Sequence, residues 1–153
     1  MLKMHYPHFT DSEVMRRVEE ALDSGAAYAK LKEVVEAQGG NLARDLPQAK
    51  HSLLVNAPLP AYISQIDPLL LGNIAITLGA GRVRKEDKLD YTAGLMLHAR
   101  VGDYVETDAP LITAFCDTPI DQALHTSILK AYTFSSTKPK PTPNILKIIE
   151  QGS

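Results

Sequence analysis

Gly79-Ala80-Gly81-Arg82 is a glycine-rich run followed at once by a cation. Such a run can cradle phosphate when successive backbone amides point inward, normally where a strand enters a helix. Here the glycines follow a helical apolar pattern, so a helix C-terminal turn is expected, with phosphate binding as the alternative. His5 and His8 are three apart, a metal-pair spacing on a helix, but Pro7 lies between them and no acidic ligand is fixed nearby. A frayed, solvated terminus is expected there. His98 alternates with Leu95 and Leu97, which places it on the other face of a strand. It would be a general base only with a nucleophile beside it, and the sequence supplies none, so a surface or edge histidine is expected. Cys116 follows Phe115 with no basic residue close by to lower its thiol pKa, which predicts a buried, unreactive thiol. The mixed charges of Lys85-Glu86-Asp87-Lys88 predict a solvated connector. No nucleophile, base and electrophile come together in this pattern. The reading therefore assigns no catalytic, cofactor-binding or metal-binding residue.

The elements that would position these groups are two helices and then a β-rich unit. Thr10 and Glu13 have capping-box spacing. Val14, Met15, Val18, Ala21 and Leu22 then form one apolar stripe, and Gly25 closes the helix. A second helix is expected, with Ala27, Leu31, Val34 and Val35 inward, stopping at Gly39-Gly40. Two short helices cannot bury their own apolar faces, so the pair is expected to dock onto something else. From His51 the period becomes two: Leu53, Val55 and Ala57 mark one strand and Tyr62–Ile66 a second. Asp67-Pro68 reads as an N-cap with proline at the first helical position, and Gly79 ends that helix. A charged connector over 82–90 leads to a β segment, Tyr91 to Arg100, a turn at Val101-Gly102-Asp103, and strands at Tyr104-Val105 and Leu111–Phe115. Thr118-Pro119 is expected to open another helix, and Ala131–Ser135 to form a last strand. Lys138-Pro139-Lys140-Pro141-Thr142-Pro143 reads as a stiff extended surface strap. Ile145, Ile148 and Ile149 are expected to fold back onto the core.

Composition narrows the function classes. In 153 residues, 16 Lys and Arg face 18 Asp and Glu, a net charge of −2. A nucleic-acid grip needs a clustered excess of cations, so none is expected. One cysteine excludes an internal disulfide and a thiolate zinc cage. Apolar runs are short, Leu69–Leu71 among them, far below the roughly 20 residues of a membrane span. A soluble, cytoplasmic α+β protein without a membrane partner is expected.

Taken in order, several segments resemble the C-terminal part of the pyrimidine-nucleoside phosphorylases, the family that includes thymidine phosphorylase. They are Ser24-Gly25 with Lys30 through Gly40, then Leu46-Pro47-Gln48-Ala49-Lys50, then Leu78-Gly79-Ala80-Gly81-Arg82 with Lys85-Glu86-Asp87 and Leu89-Asp90, and finally Gly94-Leu95 and Val101-Gly102-Asp103. The likeness runs along nearly the whole chain. Two departures stand out. Ala61-Tyr62-Ile63 replaces the family's usual Gly-Tyr-Val, and Thr107-Asp108-Ala109 stands where a glycine commonly opens the strand before a Pro-Leu pair.

The resemblance implies a parent reaction, attack of phosphate on a pyrimidine nucleoside to release base and a pentose 1-phosphate. It also implies that the phosphate- and base-holding residues lie in the family's N-terminal two-thirds. The Ser-Gly-Arg-Gly start and Gly-Gly-Thr run of that part do not occur here, and no catalytic residue carries over. The chain is therefore expected to be a fragment or a truncated reading frame, inactive alone. Residues 1–45 would be a helical remnant of the end of the phosphate-binding domain. Residues 46–153 would be the C-terminal domain, an α/β hammerhead of barrel-sandwich-hybrid type related in shape to biotinyl and lipoyl carriers. Gly94 to Arg100 holds no lysine, so a swinging-arm role is not expected. The implied partner is the N-terminal part of a parent phosphorylase. Phosphate and a pyrimidine nucleoside would bind only the complete enzyme, without a cofactor. A stand-alone interaction module and one half of a split phosphorylase are the alternatives.

Overall fold

The capping box at Thr10 forms as its spacing predicts. The Thr10 hydroxyl accepts the Glu13 amide at 3.3 Å, and the Glu13 carboxylate accepts the Thr10 amide at 2.7 Å. The computed structural model describes residues 2–143 of the chain. It divides into two compact units, 1–46 and 47–153. The carboxy-terminal isoleucines Ile145, Ile148 and Ile149 lie outside the described residues.

The first unit holds three helices, α1 (Leu2–His5), α2 (Asp11–Asp23) and α3 (Ala26–Ala37). Gly25, at φ 75°, turns the chain between α2 and α3 in a conformation that a side chain would strain. None of the three helices buries a residue. Met15, Leu22, Tyr28, Leu31 and Val34 are all exposed, so the amphipathic stripes meet solvent rather than a core of their own.

The second unit is built from two three-stranded antiparallel sheets and two helices. Its elements are β1 (His51–Asn56), β2 (Ala61–Ile66), α4 (Pro68–Leu78), β3 (Gly94–Leu97), β4 (Tyr104–Val105), β5 (Pro110–Cys116), α5 (Ala123–Leu129) and β6 (Tyr132–Ser135). One sheet has the order β1-β5-β3 and the other β4-β2-β6. The period-two pattern sets the register: Val55 pairs with Ile112, and Ile112 with Leu97 on the other side. Ile112, Ala114 and Cys116 of β5 point inward together and are buried, whereas Thr113 and Phe115 between them are half-exposed. The other sheet adds Ala61, Ile63, Val105 and Tyr132, and α4 adds Leu71, Ile74 and Leu78 at helical spacing. Ile128 of α5 completes this core.

Asp67 caps α4 by accepting the Leu69 and Leu70 amides at 2.9 and 3.0 Å, and its own amide donates to Ala131. The fold is thus α+β, with a helical segment ahead of a mixed unit. Among the described residues no helix is long and apolar enough to cross a membrane.

Two expectations are corrected here. The β segment expected over Tyr91–Arg100 is only Gly94–Leu97. Asp90 accepts both the amide and the hydroxyl of Thr92, which folds 91–93 into a turn, and the chain bends again at His98, where the His98 and Ala99 amides both donate to the Leu111 carbonyl. The helix expected from Thr118-Pro119 begins at Ala123, because the Asp121 carboxylate takes the Ala123 amide and so fixes the start there. The amino-terminal histidines are solvent-exposed, as expected; Leu2–His5 form the short helix α1, and Tyr6, His8 and Phe9 pack as rings, with the Arg17 guanidinium 4.3 Å from the centre of Phe9.

Candidate functional site

The glycine run 79–82 is a helix terminus. Gly79, at φ 105°, donates to the Ile76 carbonyl, and Ala80 reaches back to the Ala75 carbonyl at 2.9 Å. Both amides are occupied by the end of α4, and neither is presented to an anion. A side chain on Gly81 would meet Ile76 at 2.7 Å, so this glycine serves a close approach to the helix. The geometry therefore supports the turn and not the phosphate cradle.

From that terminus the connector leads to a polar node that the sequence reading did not single out as a site. Asp87 accepts the Val83 and Arg84 amides at 3.0 and 2.7 Å and shapes the connector. This corrects the expectation that all four charges of Lys85–Lys88 are merely solvated. Asp90 then holds three donors: the Thr92 amide at 2.8 Å, the Thr92 hydroxyl at 2.6 Å and the Asp117 amide at 2.8 Å. Asp117 in turn accepts the Lys50 ammonium at 3.0 Å and the Lys50 amide at 3.3 Å. Hydrogen bonds from the Thr92 hydroxyl and the Asp117 amide hold the Asp90 carboxyl below the usual carboxylate range. Lys50 does the same for Asp117, against the opposing charge of Asp90. A hollow of about 430 Å³ lies against this node, bounded by Pro47, Leu89, Tyr91 and Thr118 among others.

Chemically, the node is a clamp. Each of its carboxylates is ionised and already accepting hydrogen bonds, so each is a poor proton acceptor at neutral pH. The two carboxylates tie the connector to the start of β1 and the end of β5. Its sequence signal was weak: Asp90-x-Thr92 has local turn spacing, but Lys50 and Asp117 are 67 residues apart.

The remaining candidates stay apart. His98 is exposed beyond the end of β3, and its Nε2 lies 2.7 Å from the Thr113 hydroxyl. Cys116 is buried, with its thiol donating to the Thr118 carbonyl at 3.1 Å. His5 and His8 belong to the ring cluster of the first unit. Among the described residues no three His, Cys, Asp or Glu side chains converge as metal ligands.

Residues 62–135 match the family model described as the pyrimidine nucleoside phosphorylase C-terminal domain. A pyrimidine-nucleoside phosphorylase of Bacillus subtilis (strain 168) is 36% identical over 113 residues, which are 71% of this chain and 26% of the relative. A thymidine phosphorylase of Metamycoplasma hominis is 32% identical over 133 residues, 82% of this chain and 48% of the relative. A thymidine phosphorylase of Mycobacterium tuberculosis (strain ATCC 25618 / H37Rv) is 35% identical over 100 residues, 65% of this chain and 23% of the relative. The chain thus spans about a quarter to a half of the length of these curated relatives. The matches identify residues 62–135 as the C-terminal domain of the pyrimidine nucleoside phosphorylases.

Proposed function

We propose that these 153 residues are the non-catalytic C-terminal portion of a pyrimidine-nucleoside phosphorylase, bracing the part of the enzyme that holds phosphate and nucleoside. The observation that carries this reading is the extent of the similarity, which falls on the C-terminal domain and covers 26% of the Bacillus subtilis enzyme. The chemistry of the described residues agrees with it, because the polar node occupies its carboxylates and lysine in holding turns. The mixed unit is proposed to be the α/β hammerhead of the family, with its two small sheets enclosing one core. The implied reaction of the complete enzyme is phosphorolysis, phosphate displacing the base at the anomeric carbon.

The helical unit supports a role in docking. A pair of amphipathic helices with no buried residue gains little stability alone, and exposed Leu22, Leu31 and Val34 favour a covering surface. On this reading the partner is the N-terminal part of the phosphorylase, in the cytoplasm, and residues 1–45 complete its phosphate-binding domain. The test is complementation. The N-terminal portion of the Bacillus subtilis enzyme, ending where the similarity begins, is co-purified with this chain and assayed for phosphorolysis. A stable complex with restored turnover supports the bracing role. Failure to associate, with each part folded, contradicts it.

A further inference from the structure

Beyond the polar node, the described part of the second unit holds a cleft of about 480 Å³ between two walls of different make. The first is the turn Arg100–Asp103, which is clamped on both sides. Gly102, at φ 96°, donates its amide to the Ile63 carbonyl, and the Ile63 amide donates to the Asp103 carbonyl. Inside the turn, the Arg100 amide donates to the Asp103 carboxylate at 2.8 Å. The second wall is the strap Lys138–Thr142, whose prolines fix φ and so lose little freedom when a ligand arrives. The strap leaves β6 through a hydroxyl contact in which Ser135 accepts the Thr137 amide.

The charge in this cleft is one-sided. Arg100, Lys138 and Lys140 face a single carboxylate, Asp103, which already accepts from a backbone amide. Among the described residues none of the three cleft cations is in an ion pair, which is equally true of Arg17, Arg44, Arg82, Arg84, Lys85, Lys88 and Lys130; the three are set apart by lining one hollow together. In a chain of net charge −2 this is a local concentration. Like charges gathered around one hollow raise the local potential and draw counter-ions into it. The Arg100 guanidinium offers a planar fork for two oxygens, and the lysines offer compact point charges. The volume lies within the roughly 300–1,000 Å³ typical of small-molecule sites, and the walls are short, which fits a compact ligand better than a polymer.

We propose that this cleft binds a small, multiply charged oxyanion, a phosphate ester or polyphosphate, held by Arg100, Lys138 and Lys140. The probe is sodium pyrophosphate, titrated into the full 153-residue chain at low salt by calorimetry and by amide chemical shifts, with sulfate run as a comparison. The expected result is one saturable site, shifts confined to 100–103 and to the strap, and weaker binding of sulfate. Replacing both strap lysines (K138Q with K140Q) leaves the melting midpoint unchanged and weakens binding about tenfold or more, the loss expected for two charge-assisted hydrogen bonds. Non-saturating shifts, shifts spread over other lysines, or equal affinity in the double variant would overturn the assignment. Tighter capture of a DNA duplex or an acidic peptide than of pyrophosphate at these residues would overturn it too.

Discussion

Gly79 and Asp90 meet across the connector. The Gly79 carbonyl accepts the Asp90 amide at 2.9 Å, and a Cβ on Gly79 would lie 2.9 Å from that of Asp90. This contact joins the end of α4 to the polar node, and it explains a glycine where a phosphate cradle is absent. Gly79→Ala is expected to destabilise the protein by at least about 1–2 kcal/mol, from the left-handed backbone alone, with the contact against Asp90 adding to it. Urea denaturation followed by circular dichroism measures this, and an unchanged midpoint contradicts the contact.

Asp108 is the one non-glycine residue with positive φ among those described, at 62°. It lies within Thr107-Asp108-Ala109, the stretch in which the family resemblance leads one to expect a glycine. Asp108→Gly relieves the left-handed strain and loses part of the gain to unfolded-chain entropy, so a net stabilisation of about 0.5–1 kcal/mol is expected. Differential scanning calorimetry reads it as a higher midpoint. A lower one shows that the Asp108 side chain holds the turn.

Acid should loosen the second unit. The folded pKa values of Asp90 and Asp117 lie below the ordinary value, through the Thr92 hydroxyl and through Lys50 respectively. A depressed folded pKa stabilises the fold fully above the unfolded pKa of about 3.9, and that stabilisation is lost as pH falls through the folded values. Urea midpoints measured from about pH 6 to pH 2 should therefore fall on the acid side. Asp90→Asn should lower the neutral plateau and flatten the acid limb. An acid limb as steep as the parent's removes Asp90 from the account.

Cys116 should react slowly with an aromatic disulfide reagent in the native protein, because its sulfur is buried beneath Thr118. One equivalent should react promptly after unfolding. A fast full-amplitude reaction in buffer would show that the end of β5 opens.

Local signals in the sequence carried much of the fold. Thr10 with Glu13, and Asp67-Pro68 with Gly79, fixed the ends of α2 and α4 because each cap uses atoms within a few residues. The alternation of Leu53 and Val55 set the inward face of β1. The failures came where a carboxylate overrode local propensity. Tyr91 has a strand former's side chain, but Asp90 turns the chain there, and Asp121 rather than Pro119 starts α5. The Lys50–Asp117 pair was illegible, since the sheet alone brings the two residues together. The cations of the cleft come together only because the fold sets the strap against the turn.

The central claim is tested most directly by assaying the purified 153-residue chain for release of thymine or uracil from the nucleoside in the presence of phosphate. The expected result is base release at the rate of the protein-free blank. Turnover of about 1 per second or faster, within the ordinary range of enzymes, would contradict the account.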